Sequence, residues 1–258
     1  MLIVRVVEAN WRTLRRSWRS ALIPAVAQPL VLMIVFAGLL STRAQLVVQD
    51  GPGGNALPYP RYVALGIACS SAVVVAVTDA ANSTFTGFRF GERFRTAVTT
   101  PVSPLALALG MLLWAFVQGA LVGGVLILLA TPPFLGVASM PRLPIMIMLI
   151  GLTSASVAAP VAALVGRYHE TPQILNITGR VILAPLVLFS ATYFPTTSLP
   201  AWARVLMDLL PLAHANTALR EVYSGSWAMA AVNLSVVALW VVLGALTMAR
   251  SYWTELTR

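Results

Sequence analysis

The sequence predicts an all-α membrane protein: six transmembrane helices, an N-terminal amphipathic interfacial helix, and short external re-entrant helices before the last span. Three observations predict it. Apolar residues make up 59% of the 258 positions and charged residues only 10%, against about a quarter charged in soluble domains. Six apolar stretches approach the roughly 20 residues that a helix needs to cross a hydrocarbon core about 30 Å thick. Arginines flank these stretches unevenly, which sets an orientation.

The stretches are 21–40, 62–81, 105–130, 144–165, 174–194 and 228–249. The first follows Arg15, Arg16 and Arg19, but its apolar core is too long for a signal peptide and no A-x-A site follows, so it reads as an uncleaved helix. The fifth contains Arg180 and Pro185. An arginine near a helix end extends its head to the interface, and proline is tolerated inside membrane helices. Residues 1–20 place Val4, Val7, Trp11, Leu14 and Trp18 on one face and Arg5, Arg12, Arg16 and Arg19 on the other, with Glu8. That pattern is an interfacial amphipathic helix, serving either as a plain anchor or as a lever lying against a partner.

Segment 41–61, with Asp50-Gly51-Pro52-Gly53-Gly54, reads as a loop. Segment 195–227 carries apolar runs of about ten residues, bounded by Pro200, Pro211 and Gly225, a length suited to re-entrant or interfacial helices. No internal repeat divides the chain, so 1–258 reads as one membrane domain with its six-helix bundle at 21–249.

Arg5, Arg12, Arg15, Arg16, Arg19, Arg89, Arg93, Arg95, Arg167, Arg180, Arg250 and Arg258 fall on one side of the expected spans, and Arg43, Arg61, Arg142, Arg204 and Arg220 on the other. The positive-inside rule then puts both termini and the loops after the second and fourth spans in the cytoplasm. Arginine-only, alanine- and valine-rich usage points to a GC-rich bacterium, hence to the bacterial plasma (inner) membrane.

Composition also removes function classes. Lysine is absent, so the chain holds no P-loop, whose lysine reaches the β/γ-phosphates, and no Schiff-base chemistry. The net charge of +9 comes from dispersed arginines rather than one basic domain, which argues against nucleic acid. Cys69 is alone. His169 and His214 fall on opposite expected faces and cannot share a metal or a haem. No G-x-S-x-G or H-E-x-x-H motif occurs, nor any intramembrane Asp pair. Catalytic, metal and cofactor sites are therefore not expected in this chain. The central thirds of the spans carry no acidic residue, which disfavours a proton- or ion-coupled carrier.

The stretch Phe88-Arg89-Phe90-Gly91-Glu92-Arg93-Phe94-Arg95-Thr96-Ala97-Val98-Thr99-Thr100-Pro101-Val102-Ser103-Pro104 combines aromatics, arginines and a proline stop. Phe90, Phe94, Ala97 and Val98 can share one face of a short helix that Pro101 ends. Two readings stand: an aromatic-anchored interfacial loop, or a protruding docking helix over 88–100.

From Phe94 to Ser103 this stretch resembles the segment after the second helix in type 2 ABC exporter membrane domains (permeases), particularly the NodJ-like and drug-resistance exporter group, where an F-x-R-T run leads into A-T-P-V-S. Leu186-Val187-Leu188-Phe189-Ser190-Ala191-Thr192-Tyr193-Phe194-Pro195, then Ser198-Leu199-Pro200-Ala201-Trp202, is similar to that family's L-F-S-G-T-F-F-P…L-P-x-W signature, with Ala191 in place of the usual glycine. Leu210-Pro211-Leu212-Ala213-His214-Ala215 with Leu219-Arg220 resembles its L-P-L-x-H-A…R ending.

The resemblance implies two membrane subunits, identical or related, with two cytoplasmic P-loop ATPase subunits that bind the ATP and magnesium. It implies that the loop after helix two is a coupling helix docking on the ATPase through Gly91, Glu92, Arg93, Phe94, Arg95, Thr99 and Thr100. The N-terminal helix would be the family's connecting helix, and 200–223 its short external helices. Helices two and five would line the interface and substrate path, with Thr78, Asp79, Asn82, Thr178 and Ser190 as candidates. The expected function is the membrane subunit of an ATP-driven exporter of an amphiphile, a lipid-linked saccharide or a hydrophobic drug. A non-transporting membrane scaffold for a soluble partner is the alternative.

Overall fold

The structure, a computed structural model, describes residues 2–39, 47–49, 56–90, 103–195 and 200–256. Helix α1 (Leu2–Met33) continues into a π-helical turn at Ile34–Leu39. Strands β1 (Val47–Gln49) and β2 (Ala56–Pro58) follow, then α2 (Tyr59–Arg89) and α3 (Pro104–Ala130), which ends in a π turn at Thr131–Leu135. A 3-10 turn, Val137–Arg142, opens α4 (Leu143–Arg167). The run α5, Gln173–Leu188, is α-helical at both ends with a π turn, Thr178–Leu183, between. Helices α6 (Ala201–Leu209), α7 (Pro211–Ser224) and α8 (Trp227–Leu256) complete the chain.

Among the described residues, five helices are long and apolar enough to cross a membrane: Trp18–Leu39, Tyr59–Arg89, Pro104–Leu135, Val137–Arg167 and Trp227–Leu256. They cover five of the six expected spans. The remaining one, 174–194, is helical only over Gln173–Leu188, about 24 Å of rise, which falls short of the hydrocarbon thickness. Pro185 accounts for the irregular middle: its ring and missing N–H disturb the preceding turn, and the ladder shifts to π spacing over Thr178–Leu183.

Two other expectations change. The amphipathic segment and the first span form one uninterrupted helix over Leu2–Met33, with no glycine or proline at their junction and with Pro24 and Pro29 accommodated inside the apolar part. The loop expected at 41–61 contains an antiparallel ladder pairing Val47 with Pro58, Val48 with Leu57 and Gln49 with Ala56. Val48 and Leu57, paired across the ladder, turn inward and bury apolar surface. The glycine-rich centre, 50–55, lies outside the described residues.

Helices α2 and α4 form the centre, each with 72% of its most apolar window buried, whereas α1 and α8 bury 17% of theirs. Small residues let α3 and α4 close together, Gly119 against Ser154, Gly123 against Ile150 and Gly151 against Phe116, the usual device where lipid offers no hydrophobic drive. The amphipathic part of α1 lies on the start of α3, with Val6 over Gly110 and Asn10 beside Met111.

Residues 159 and 160 of α4 meet Gly244 of α8, and Ala163 and Gly166 meet Ser251, so these helices run parallel. The segment between them must therefore carry the chain back along the bundle, and it does so beside α2. Arg89 donates to the Glu170 carbonyl at one end (2.8 Å), and Tyr59 to the Tyr193 carbonyl at the other (3.4 Å). That path covers the length of α2, about 45 Å. The bundle thus has a hairpin end, where α2 begins, and a terminal end, where α1 begins and α8 finishes.

At the terminal end Phe88 packs against His169 and, edge-on, Tyr252, whose hydroxyl pairs with Thr84 at 2.7 Å. Tyr252→Phe is expected to lower stability by about 0.6 kcal/mol, the usual worth of one hydrogen bond between membrane helices, as read by denaturant unfolding in detergent micelles.

Candidate functional site

The densest polar cluster lies at the hairpin end around the non-helical segment 189–195. In the sequence this is the Phe189-Ser190-Ala191-Thr192-Tyr193-Phe194-Pro195 motif. Its carbonyls have left helical geometry and need donors, which come from α2 and α7. Asn216 donates to the Ser190 carbonyl (2.8 Å) and the Tyr62 hydroxyl to those of Ala191 (2.9 Å) and Phe194 (3.1 Å). Arg220 donates to the Ala191 carbonyl at 2.6 Å and to that of Tyr62 at 3.4 Å. Its guanidinium carbon lies 3.4 Å from the Tyr62 ring centroid, a cation–π contact in a desolvated place. The Thr192 hydroxyl pairs with Ser70 at 2.6 Å and with Ser190 at 2.9 Å.

Tyr62, Ser70, Ser190, Thr192, Asn216 and Arg220 are all buried. Ser70 lies about 16 Å into α2 from its first residue, so the polar cluster reaches well inside the bundle.

Two backbone features fix this turn. Ala191 has φ 54°, in the left-handed region that costs an L-residue about 1–2 kcal/mol. Glycine avoids that cost, which gives the family's usual glycine a physical reason. Opposite, Gly66 leaves α2 bare: a Cβ there would stand 2.6 Å from the Thr192 carbonyl oxygen and 3.1 Å from the Arg220 guanidinium.

The sequence-expected residues fall in separate places. Gly91, Glu92, Arg93, Phe94, Arg95, Thr99 and Thr100 lie outside the described residues. Ser190 belongs to the buried cluster. Thr178 is buried in α5, its hydroxyl donating to the Ile174 carbonyl at 2.9 Å. Asp79 accepts from the Trp114 indole at 2.9 Å and ties α2 to α3. Thr78 and Asn82 are exposed, one turn apart, and Thr86 continues the line.

This line is the polar face of an otherwise buried helix. The sequence reading missed Tyr62, Asn216 and Arg220 as a site, counting Tyr62 as a span start and Arg220 as a loop charge. The available signal was the four-residue spacing of Asn216 and Arg220 on the short helix after the motif.

The two histidines sit at opposite ends. His169 contacts the Gly166 carbonyl (2.7 Å), while His214 bridges the Asn233 side chain (2.8 Å) and the Asp208 carbonyl (2.9 Å). Among the described residues no group of three or more His, Cys, Asp or Glu side chains could hold a metal.

A bundle of long apolar helices, with a polar face on its central member and an irregular buried segment locked by side chains, defines a multi-pass α-helical membrane protein. Residues 2–223 match the ABC-2 type transporter family model, and the chain belongs to that family. α8 lies beyond the matched region.

Among its relatives, "Nodulation protein J" of Sinorhizobium fredii is 29% identical over 214 residues, covering 80% of this chain and 76% of the relative. The proteins of that name from Neorhizobium galegae and Rhizobium meliloti are 27% and 25% identical. Each alignment covers 84% of this chain, with 80% and 81% of the respective relative.

Ala191→Gly is expected to raise stability by up to about 1 kcal/mol, the left-handed cost less glycine's entropy. Gly66→Ala is expected to lower it by about 1–3 kcal/mol by forcing the Thr192 carbonyl aside. Thermal unfolding of the two variants in one detergent, compared with wild type, reads both signs.

Proposed function

We propose that the chain is the membrane half of an ATP-driven exporter of an amphiphile, working as a pair of membrane subunits with two separate ATPase subunits. One observation carries this. Thr78, Asn82 and Thr86 expose a polar line at four-residue spacing along α2, on a helix whose other faces are buried by the chain itself. A polar face open to lipid is costly, and such residues turn toward a protein interior or a water-filled cavity. A second membrane subunit facing this line would close a path between the two copies.

The crossing of 168–195 beside α2 is, on this reading, the sixth membrane passage. It is completed as irregular backbone, which is tolerated at depth only inside protein. Six passages leave both termini on one side, and the arginine-rich flanks make that side cytoplasmic, in a bacterial inner membrane. The α6 and α7 helices then form the outer closure, with α7 dipping among α2, α4 and α8. Segment 91–100 docks the ATPase, and ATP and magnesium are bound there rather than by this chain, which has no lysine for a P-loop.

The first test is copurification. The wild-type protein, taken from its native host in nanodiscs, is expected to carry a P-loop ATPase identified by mass spectrometry, and the E92R/R93E/R95E variant to lose it. Reproducible recovery without an ATPase would sink the exporter reading in favour of a membrane scaffold. The second test is flux: T78L/N82L is expected to fold normally and retain the ATPase while slowing ATP-dependent export several-fold in proteoliposomes.

A further inference from the structure

A cleft of about 650 Å³ lies along the outer seam between α4 and α8 toward the terminal end, at the opposite end of the bundle from the buried polar cluster, and none of the polar line on α2 lines it. Its origin is a tight crossing. A Cβ on Gly244 would lie 2.9 Å from Ala159 Cβ and 2.9 Å from Pro160 Cδ, so the helices touch there, and beyond that point the larger side chains on the outer side of the seam leave a furrow.

The floor is apolar, with Pro160, Ala163 and Leu164. Toward the terminal end the walls carry Arg167 and Tyr168 from α4 and Arg250 and Glu255 from α8. From Pro160 to Tyr168 the furrow covers about 12 Å of helix.

The chemistry of the lining selects an occupant. The furrow's hydroxyls are already used as donors inside the chain: Ser251 to the Ala163 carbonyl (2.8 Å), Thr247 to those of Leu243 and Gly244 (both 3.0 Å), and Thr254 to that of Arg250 (2.9 Å). The donors facing an incoming group are therefore the guanidiniums of Arg167 and Arg250, both exposed, with the Tyr168 phenol. Two guanidiniums against the one Glu255 carboxylate leave a single positive charge, which matches a phosphodiester. Guanidinium groups bind phosphate oxygens in bidentate fashion. An apolar floor running from this basic mouth into the bundle matches a hydrocarbon chain attached to that phosphate. Basic pockets between membrane helices are known devices for anionic headgroups.

We infer that the α4–α8 furrow is a binding site for an anionic phospholipid, its phosphate on Arg167 and Arg250 and one acyl chain on Pro160 and Leu164. The site is peripheral to the transport path and holds a structural or regulatory lipid. It does not depend on the substrate or on the ATPase partnership.

The test is native mass spectrometry of the full-length protein exchanged into mixed phosphatidylglycerol and phosphatidylcholine, at equal amounts. Wild type is expected to retain phosphatidylglycerol in preference, and R167Q/R250Q to lose that preference by roughly tenfold or more. L164W, which fills the floor and keeps both arginines, is expected to reduce retention of the lipid as well.

Both arginines are exposed, so the double variant should fold. Unchanged lipid-free thermal unfolding confirms that a loss of binding is local. The inference is overturned if wild type retains both lipids equally, or if R167Q/R250Q holds phosphatidylglycerol as wild type does. It is also overturned if soluble glycerol phosphate displaces the lipid at comparable concentration, since the site would then recognise a free phosphate, or if a copurified protein rather than lipid protects the two arginines.

Discussion

The carbonyls of residues 190, 191, 193 and 194 constrain this fold strongly. Backbone that leaves helical geometry deep in a bundle cannot fall back on water, and each unpaired carbonyl there costs several kcal/mol. The chain answers with donors fixed on two other helices. Tyr59 and Tyr62 reach across from the first turn of α2, and Asn216 and Arg220 project from one face of α7. Arg220 can be buried because carbonyl dipoles and the Tyr62 ring face surround its guanidinium. Removing it would expose the need it meets, because the Ala191 carbonyl would lose its closest donor.

Several larger features follow from that requirement. An α7 that must deliver Asn216 and Arg220 to the turn has to enter the bundle, which is why a fourteen-residue helix buries most of one side instead of lying on the surface. A turn pinned to Tyr62, Gly66 and Ser70 holds the preceding run against α2. With that flank taken, and α3, α4 and α7 on the others, α2 keeps only a narrow exposed strip. That strip is where Thr78, Asn82 and Thr86 stand. Their exposure is thus the remainder left by packing, and their polarity is informative because packing did not require it.

The sequence was most legible where the physics is one-dimensional. Span length and apolarity place 62–81, 105–130, 144–165 and 228–249 inside helices that the structure extends at one or both ends. Legibility failed where the outcome depends on pairing. The fifth run stops at Leu188 because residues 189–195 leave helical geometry, which hydropathy does not register. The Val47–Gln49 and Ala56–Pro58 ladder needs two short segments to meet across a glycine-rich centre. Arg220, read as an outward loop charge, is buried because of a carbonyl about thirty residues away in sequence. The Ala191 substitution could be seen beforehand, but its cost could not, since only the backbone angle shows that the position is left-handed.

The two ends of the bundle are held by different kinds of force, and that asymmetry bears on how such a subunit would work. At the hairpin end a dense set of hydrogen bonds ties α2, segment 189–195 and α7 together, so small displacements break several contacts at once. At the terminal end α2 is held by aromatic packing of Phe88 on Tyr252 and His169, by the Thr84–Tyr252 pair, and by one exposed bond from Arg89 to the Glu170 carbonyl. Ring contacts tolerate sliding far better than directional hydrogen bonds do.

If segment 91–100 docks an ATPase as proposed, a push there would therefore meet its softest resistance at the near end of α2. Because α2 is a single unbroken helix of 31 residues, that push would arrive at Tyr62, Gly66 and Ser70 as a tilt rather than be absorbed on the way. A tilt can be accommodated only if α2, segment 189–195 and α7 move as one body, or if the cluster opens entirely. The geometry favours the first, because opening would strand the carbonyls of residues 190, 191, 193 and 194 without donors.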